Sequence, residues 1–422
     1  MPDPATPAFR LFIADRVIDG SGAPAIEHGA VLLSGEQIVA VGPASQVRAP
    51  EDASVEITRY DGGSLLPGYV DAHTHVVAPG DGTPGEGVAA MTDDTLLMIA
   101  VANVRRMLNN GVTTARENGA KNRVGFSIRD GIRRGIIPGP RMVISGRPIA
   151  TTGGHLHFFG QPADGVEGVR HAARVLIADG ADWIKITATG GSTRSSDPLR
   201  PSFTTEELRT IVDEAHNRGK LTGAHTTATA GIERVLDAGV DMIIHCVFWN
   251  PDGAYRYRPD LVDRIAADGR WANPTLHTQQ TEIDGLEGKR ARQGFLSPED
   301  EAEVAGARAS METLLDGVRR MIGQGVRMTA GSDTAWRWGR AGGLAGEVYQ
   351  LGHAGLSNAQ AIVAGTSGSA ESIGVSDTAG LLRAGRQADV VAVDGNPLDD
   401  LRAMARIRDV WLAGRRVERT AV

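Results

Sequence analysis

Apolar and polar positions follow two different periods along the chain. Near the start they alternate with period two over short runs, Phe9–Ile13, Arg16–Ile18, Ala30–Ser34, Gln37–Val41 and Val55–Tyr60, which predicts half-buried strands joined by turns. The same pattern returns near the end in Val390–Val393, the turn Asp394-Gly395-Asn396-Pro397, and Ile407–Leu412 running into Gly414. Two β-rich ends around a different middle predict one discontinuous β-sandwich domain, residues 1–65 and 371–422.

The middle, residues 66–370, alternates short apolar runs with amphipathic stretches of helical period. The runs are Tyr69–His73, Val112–Ala115, Met142–Ser145, Trp183–Thr187, Leu221–His225, Met242–His245, Trp271–Thr275 and Val326–Ala330. The clearest helix start is the capping box Thr204-Thr205-Glu206-Glu207, with a stop at Gly219. Eight strand–helix units of this total length predict an α/β fold, a (β/α)8 TIM barrel, whose active site lies at the C-terminal ends of its strands.

Composition narrows the function. The 422 residues carry a net charge of −7 with no run of five basic residues, so neither nucleic acid nor an anionic membrane is an expected partner. A small-molecule substrate is expected instead. No apolar stretch reaches the roughly 18 residues of a membrane span, and the start lacks a basic-then-apolar leader, so a cytoplasmic protein is expected. We also expect a homo-oligomer. Cys246 is the only cysteine, which excludes an intramolecular disulfide and a thiolate cluster. Any metal must be held by histidine, carboxylate or a modified lysine.

Four of the eleven histidines fall at the C-terminal ends of predicted strands: His73, His75, His225 and His245. Asp333 follows the last strand. Because a strand has period two, His73 and His75 point to the same side and can grip one ion together. Imidazole and carboxylate are the ligands expected of zinc or a similar transition metal. Any one such histidine is ordinarily a hydrogen-bonded structural residue; it is the joint placement on one rim that points to a site. Lys185 lies inside the apolar strand Trp183-Ile184-Lys185-Ile186-Thr187, where burying an ammonium is costly, so it needs a partner or a modification. One reading is a snorkelling or ion-paired lysine. The other is a lysine of lowered pKa that adds CO2 and becomes a carbamate.

The order HxH, Lys, His, His, Asp along eight strands resembles the binuclear branch of the amidohydrolase superfamily. The likeness extends through Leu66-Pro67-Gly68-Tyr69-Val70-Asp71-Ala72-His73-Thr74-His75, the turn Gly111-Val112-Thr113-Thr114, Gly153-Gly154-His155, and the tail from Ala388 to Pro397. It implies two divalent ions, zinc first with cobalt or manganese as alternatives. His73, His75 and Asp333 would hold the more buried ion and His225 and His245 the more exposed one, with carbamylated Lys185 bridging them. A bridging water would be the nucleophile, and Asp333 would carry its proton to the leaving nitrogen. The tail is similar to that of imidazolonepropionase-like and prolidase-like members, while Gly153-Gly154-His155 and Ile184-Lys185-Ile186 followed by Thr189-Gly190-Gly191 look most like the Xaa-Pro or Xaa-Arg dipeptidase and N-acyl-amino-acid carboxypeptidase group, in which His155 would help polarise the substrate carbonyl. The expected reaction is hydrolysis of an amide-like C–N bond in an N-acyl amino acid or dipeptide-like substrate.

One departure bears on substrate. Many such peptidases carry a tyrosine two residues after the fifth-strand histidine, whereas this chain reads His225-Thr226-Thr227, which leaves room for carbamates, thiocarbamates or phenylureas. A deaminase would ordinarily have a glutamate three residues after the sixth-strand histidine, where Phe248 stands. A non-catalytic assembly protein would show gaps in the ligand set, and here every position is filled. Trp249, Tyr255, His277, Trp336 and Arg337 are expected on loops above the strand ends as substrate-binding residues, with Tyr257, Trp338 and Arg340 nearby. Such residues can equally pack one loop on another.

Overall fold

The computed structural model describes residues 8–334 and 336–419. The outermost positions of the predicted β domain, 1–7 and 420–422, lie outside the described residues.

The two ends of the chain share one eight-stranded sheet. Across it run Arg415–Arg416, Ile407–Leu412, Val390–Asp394, Val55–Pro67, Phe9–Val17, Gly29–Ser34 and Gln37–Pro43, with Ile26–Glu27 paired to Phe9–Val17. The joint is the 13-residue strand Val55–Pro67. It runs parallel to Phe9–Val17 from Val55 to Leu65, and from Gly63 to Pro67 its other edge pairs antiparallel with Val390–Asp394, Leu66 opposite Val391. Phe12, Val31, Leu65, Val390 and Trp411 pack together as the core beneath it. The two strands predicted at Phe9–Ile13 and Arg16–Ile18 are a single strand, because a bulge between Ala14 and Arg16 breaks the alternation without ending the pairing.

The middle of the chain is α/β with parallel strands. Tyr69–Thr74, Val112–Glu117 and Arg141–Ile144 form one parallel sheet. Ile184–Thr187, Thr222–His225, Met242–Ile244, Trp271–Asn273 and Arg327–Met328 form another. Bridges Ile149–Ile186 and Thr74–Thr334, with the amide of Ala72 donating to Ala330 O at 3.0 Å, tie the two sheets together on both sides. Helices such as Gly165–Ala178, Thr205–His216 and Thr229–Ala238 cover the strands and bury Leu176, Ile211 and Val235 against them. The capping box at Thr204 is formed in both directions, and Gly219 takes a positive φ beyond the helix end.

Several strands are shorter than the sequence suggests. Val326–Ala330 reduces to Arg327–Met328, Trp271–Thr275 to Trp271–Asn273, and Met242–His245 to Met242–Ile244. In each case the chain leaves the ladder where it turns to the rim, and the functional residues follow that turn. Between the last two strands stand two long helices, His277–Gln293 and Pro298–Gly323, the second started by a capping box at Ser297.

Candidate active site

A cavity of about 720 Å³ opens at the C-terminal ends of the parallel strands. His73, His75, Lys185, His225, His245 and Asp333 all line it, as do His155, Trp249, Trp336 and Arg337. Two expected residues are elsewhere. Tyr255 packs edge-on against Trp249 at 5.4 Å and serves the loop, not the cavity wall. His277 opens the helix His277–Gln293 and its ring lies over Gly343 and Gly346, in the wall of a different cavity, because the chain has already turned into the helix at that position. Tyr257 donates its hydroxyl to Gln324 Oε1 at 2.6 Å, and Trp338 and Arg340 border that other cavity.

The tightest part of the site is His73, His75 and Asp333, whose ligand atoms all lie within 4.8 Å of one another. His73 Nε2 and His75 Nε2 are 3.4 Å apart, and Asp333 Oδ1 is 3.2 Å and 3.5 Å from them. The other ring nitrogens are already engaged: His73 Nδ1 faces Asn273 Oδ1 at 3.0 Å, and His75 Nδ1 faces Gly119 O at 3.1 Å. With Nδ1 donating, each Nε2 presents its lone pair to the cluster, which is how a metal-ligating histidine is oriented by its outer partner. Asp71 clamps the two segments together by accepting from the amides of His73 (3.1 Å) and Ser332 (2.9 Å) and from Ser332 Oγ (2.6 Å). Gly331 has to be glycine, since a Cβ there would meet His73 Cβ at 2.6 Å.

His245 and His225 face this cluster from the other side, with ring centroids 4.6 Å apart and His73 5.6 Å from His245. His245 Nδ1 contacts Thr275 Oγ1 at 2.7 Å, and its Nε2 has no hydrogen-bond partner among the described residues. His225 is turned the other way, with Nε2 on Gly190 O at 3.0 Å and Nδ1 without a hydrogen-bond partner among the described residues. His155 stacks beside His225 at 4.5 Å and is held through Nδ1 by Thr193 Oγ1 at 3.1 Å. A Cβ on Gly191 would strike its ring at 2.7 Å.

Backbone strain concentrates here. His245, Cys246, Thr275 and Asp333 all adopt positive φ, between 52° and 64°, a conformation that costs a non-glycine residue about 1–3 kcal/mol. The turn re-aims His245 and Asp333 from the strand direction toward the cavity.

Burial sets the electrostatics. All five histidines are held neutral: desolvation, then the charge of Lys185, pushes His75 and His225 down to about 3, and the others also fall well below the ordinary imidazole value. Lys185 is 1% exposed, and desolvation pushes its amine down while Asp333 and Glu117 pull it back up. It forms no ion pair within 4 Å among the described residues. Asp333 is pushed up by the same burial and pulled down by Lys185. Neutral imidazoles with aimed lone pairs, a carboxylate and a lysine of weakened basicity are the donors a divalent metal requires.

Sequence reasoning missed the residues that aim the ligands. Asn273, Asp71 and Glu117 are fully buried polar groups on strands, Asn273 and Glu117 at their C-terminal ends, and a polar residue at a buried strand end was their signal. Glu117 Oε1 accepts from the Gly119 amide at 2.7 Å and so fixes the segment whose carbonyl holds His75; burial pushes its carboxyl up to about 8. Glu282 and Glu303, also on the cavity, both pair with Arg337.

Known proteins share this arrangement of chain. Ochratoxinase of Aspergillus niger is 26% identical over 96% of this chain and 86% of its own length. A Xaa-Pro dipeptidase crystallised with methionine in its active site superposes with a TM-score of 0.80 at 25% identity, covering 97% of this chain and 100% of that one. A prolidase bound to N-methylphosphonate-L-proline gives a TM-score of 0.83 at 26% identity, covering 98% and 100%. The sequence matches the Amidohydrolase family over residues 64–417. With the HxH pair, the strand-end histidines and Asp333 gathered in one cavity at the strand ends, the chain belongs to the amidohydrolase family and is a metal-dependent hydrolase of C–N bonds.

Proposed function

We propose that this enzyme hydrolyses the amide bond of an N-acyl amino acid or dipeptide-like substrate at a two-metal centre. The observation that carries the reading is the convergence of His73, His75 and Asp333 within 4.8 Å, in the cavity that also holds Lys185, His225 and His245. The reading includes closure of the eight parallel strands into a (β/α)8 barrel over residues 66–370. It also takes the terminal segments 1–65 and 371–422 to fold as a β-sandwich domain.

In this reading His73, His75 and Asp333 would hold one ion, His225 and His245 would hold the second, and Lys185, as a carbamate, would be the ligand they share. Zinc suits the donor set, with cobalt and manganese as substitutes. When bound, the ions supply Lewis acidity at the carbonyl and lower the pKa of water to about 7. Asp333 accepts the proton of the attacking water and returns it to the leaving nitrogen. His155 directs Nε2 at the carbonyl oxygen. Trp249, Trp336 and Arg337 shape the pocket that selects the acyl and amine groups.

Thr227 supports the wider substrate range of carbamates, thiocarbamates and phenylureas. It lines the cavity, but its hydroxyl is already committed to Pro198 O at 2.6 Å, so it does not replace a tyrosine that would bind an α-carboxylate. The test is hydrolysis by zinc-loaded enzyme of a panel of N-acyl amino acids, dipeptides, carbamates and arylureas, beside metal analysis. Turnover of an amide with two equivalents of metal is the expected result. Ammonia release from purines or pyrimidines with every amide, carbamate and urea untouched would overturn it.

A further inference from the structure

A second cavity, of about 1170 Å³, lies behind the catalytic one. Arg106, Arg292, Arg340 and Arg419 line it, in a chain whose net charge is −7. Among the described residues none of these four forms an ion pair with a carboxylate. Arg106 donates to Asn103 Oδ1 at 3.3 Å, and Arg419 donates to Asn109 O at 3.0 Å and Ile407 O at 2.6 Å. Such neutral acceptors fix a guanidinium without cancelling its charge. The same wall carries two carboxylates, Asp81 beside Thr83 and Asp284 beside Gln280, and neither is paired with these arginines, so four guanidinium charges stand against two carboxylate charges. Trp338, a further wall residue, has an indole N–H without a partner among the described residues.

The two cavities share their dividing wall. On the helix His277–Gln293, Thr278, Gln279 and Glu282 face the catalytic cavity, while Thr281, Asp284, Gly288 and Arg292 face the other. The segment after Asp333 divides likewise, with Trp336 and Arg337 on the catalytic side and Trp338 and Arg340 behind. Trp338 is seated against Gly285 and Gly82, where a Cβ would meet the indole at 2.4 Å and 2.6 Å, so this segment and the helix move together or not at all.

We propose that the second cavity binds a small multivalent oxyanion, and that its occupancy tunes substrate binding through the shared helix and the Trp336–Arg340 segment. Unpaired arginines in a concave wall are the geometry that takes phosphate, sulfate or polycarboxylate groups by charge-assisted hydrogen bonds. A pair of them also supplies an attraction that weakens as salt screens it.

The experiment titrates inorganic phosphate, and separately sulfate, into zinc-loaded enzyme by calorimetry at low ionic strength, while tryptophan fluorescence is followed. Saturable binding of one anion per chain is expected, weakened by added sodium chloride and at least tenfold weaker in Arg292→Ala/Arg340→Ala. Arg292→Glu, a charge reversal at an exposed position, should abolish it. Both variants should keep the kcat/KM of the anion-free enzyme, and saturating sulfate should change KM for the amide at least twofold in the parent and not in the variants. Absence of binding, or equal binding by parent and double variant, overturns the site. Phosphate binding alone, undiminished in the variants and without any response to sulfate, would place the anion at the metal centre and overturn it as well. Normal binding with an unchanged KM overturns the coupling. Calorimetry reads binding without turnover, so a failure of the hydrolase reading remains distinguishable.

Discussion

The two halves of the proposed metal centre are built to different tolerances. In the half formed by His73, His75 and Asp333, each ring has an outer partner and Asp71 ties the two backbone segments, so the ligand atoms converge without help. In the half formed by His225, His245 and Lys185 both rings also have outer partners, Gly190 O and Thr275 Oγ1, but no backbone clamp like Asp71 brings their free atoms together, and the lysine amine has no ion-pair partner within 4 Å among the described residues. The first half converges on its own. On the proposed two-metal reading the second half would need the carbamate of Lys185 to complete it, and this asymmetry predicts that the two ions would be lost separately.

The sharpest way to break the comparison is Lys185→Ala. Turnover should fall on the order of 10³-fold or more, because the two ions act as a unit. About one equivalent of zinc should remain, held by His73, His75 and Asp333, and added short carboxylic acids should restore part of the rate. Loss of both ions together would erase the distinction between the halves.

Asp333→Asn probes the preorganised half by keeping an oxygen and removing the base. Activity should drop on the order of 10²-fold, with zinc content close to that of the parent by metal analysis. Near-normal turnover at full occupancy would shift the role of base to another group, His155 first.

Asn273→Leu removes the acceptor that aims His73, and with it the two hydrogen bonds that the same amide donates to Thr329 O and Gly331 O. Zinc affinity at the preorganised half, measured by competition with a chelator, should weaken about 10- to 100-fold, and retention at the other half should hardly change. An unaltered affinity would mean that packing alone orients the ring.

The smallest effect concerns pH. Burial depresses His75 and His225 to about 3, below the unfolded value near 6.5, so the stability tied to their neutral forms is present above about 6.5 and is lost as pH falls toward 3. Melting of the metal-free protein should therefore decline between pH 7 and pH 5, and His225→Asn should flatten that decline. Equal slopes in parent and variant would show that other groups control it.

The chemistry was legible in the sequence because metal ligands must sit at the ends of apolar strands, and a histidine or aspartate there breaks the pattern. His73 and His75 also follow from strand period alone. What was not legible depends on the rim turns. The positive φ of His245 and Asp333 cannot be read from residue type, since neither is glycine. For the same reason Trp271–Thr275 looked like five residues of strand, when Thr275 has already left the ladder to hold His245. His277 looked like a rim residue because it follows that strand closely, yet the helix begins at it and carries its ring behind the wall. Asn273 and Glu117 could have been found by asking why a buried strand ends on a polar side chain.

The terminal sheet has a consequence for the order of events during synthesis. Strand Val55–Pro67 can pair with Phe9–Val17 as soon as both have left the ribosome, but its other partner, Val390–Asp394, is made more than three hundred residues later. Until then the apolar edge at Leu65 and Leu66 has no neighbour, and Phe12 and Val31 lack the cover of Val390 and Trp411. Long-range pairing of this kind slows folding and leaves an open strand edge exposed to other chains. Every helix of the α/β region is therefore translated while that edge waits, and nascent chains crowded on one message would find one another at Leu65 and Leu66 before each finds its own C-terminal strands.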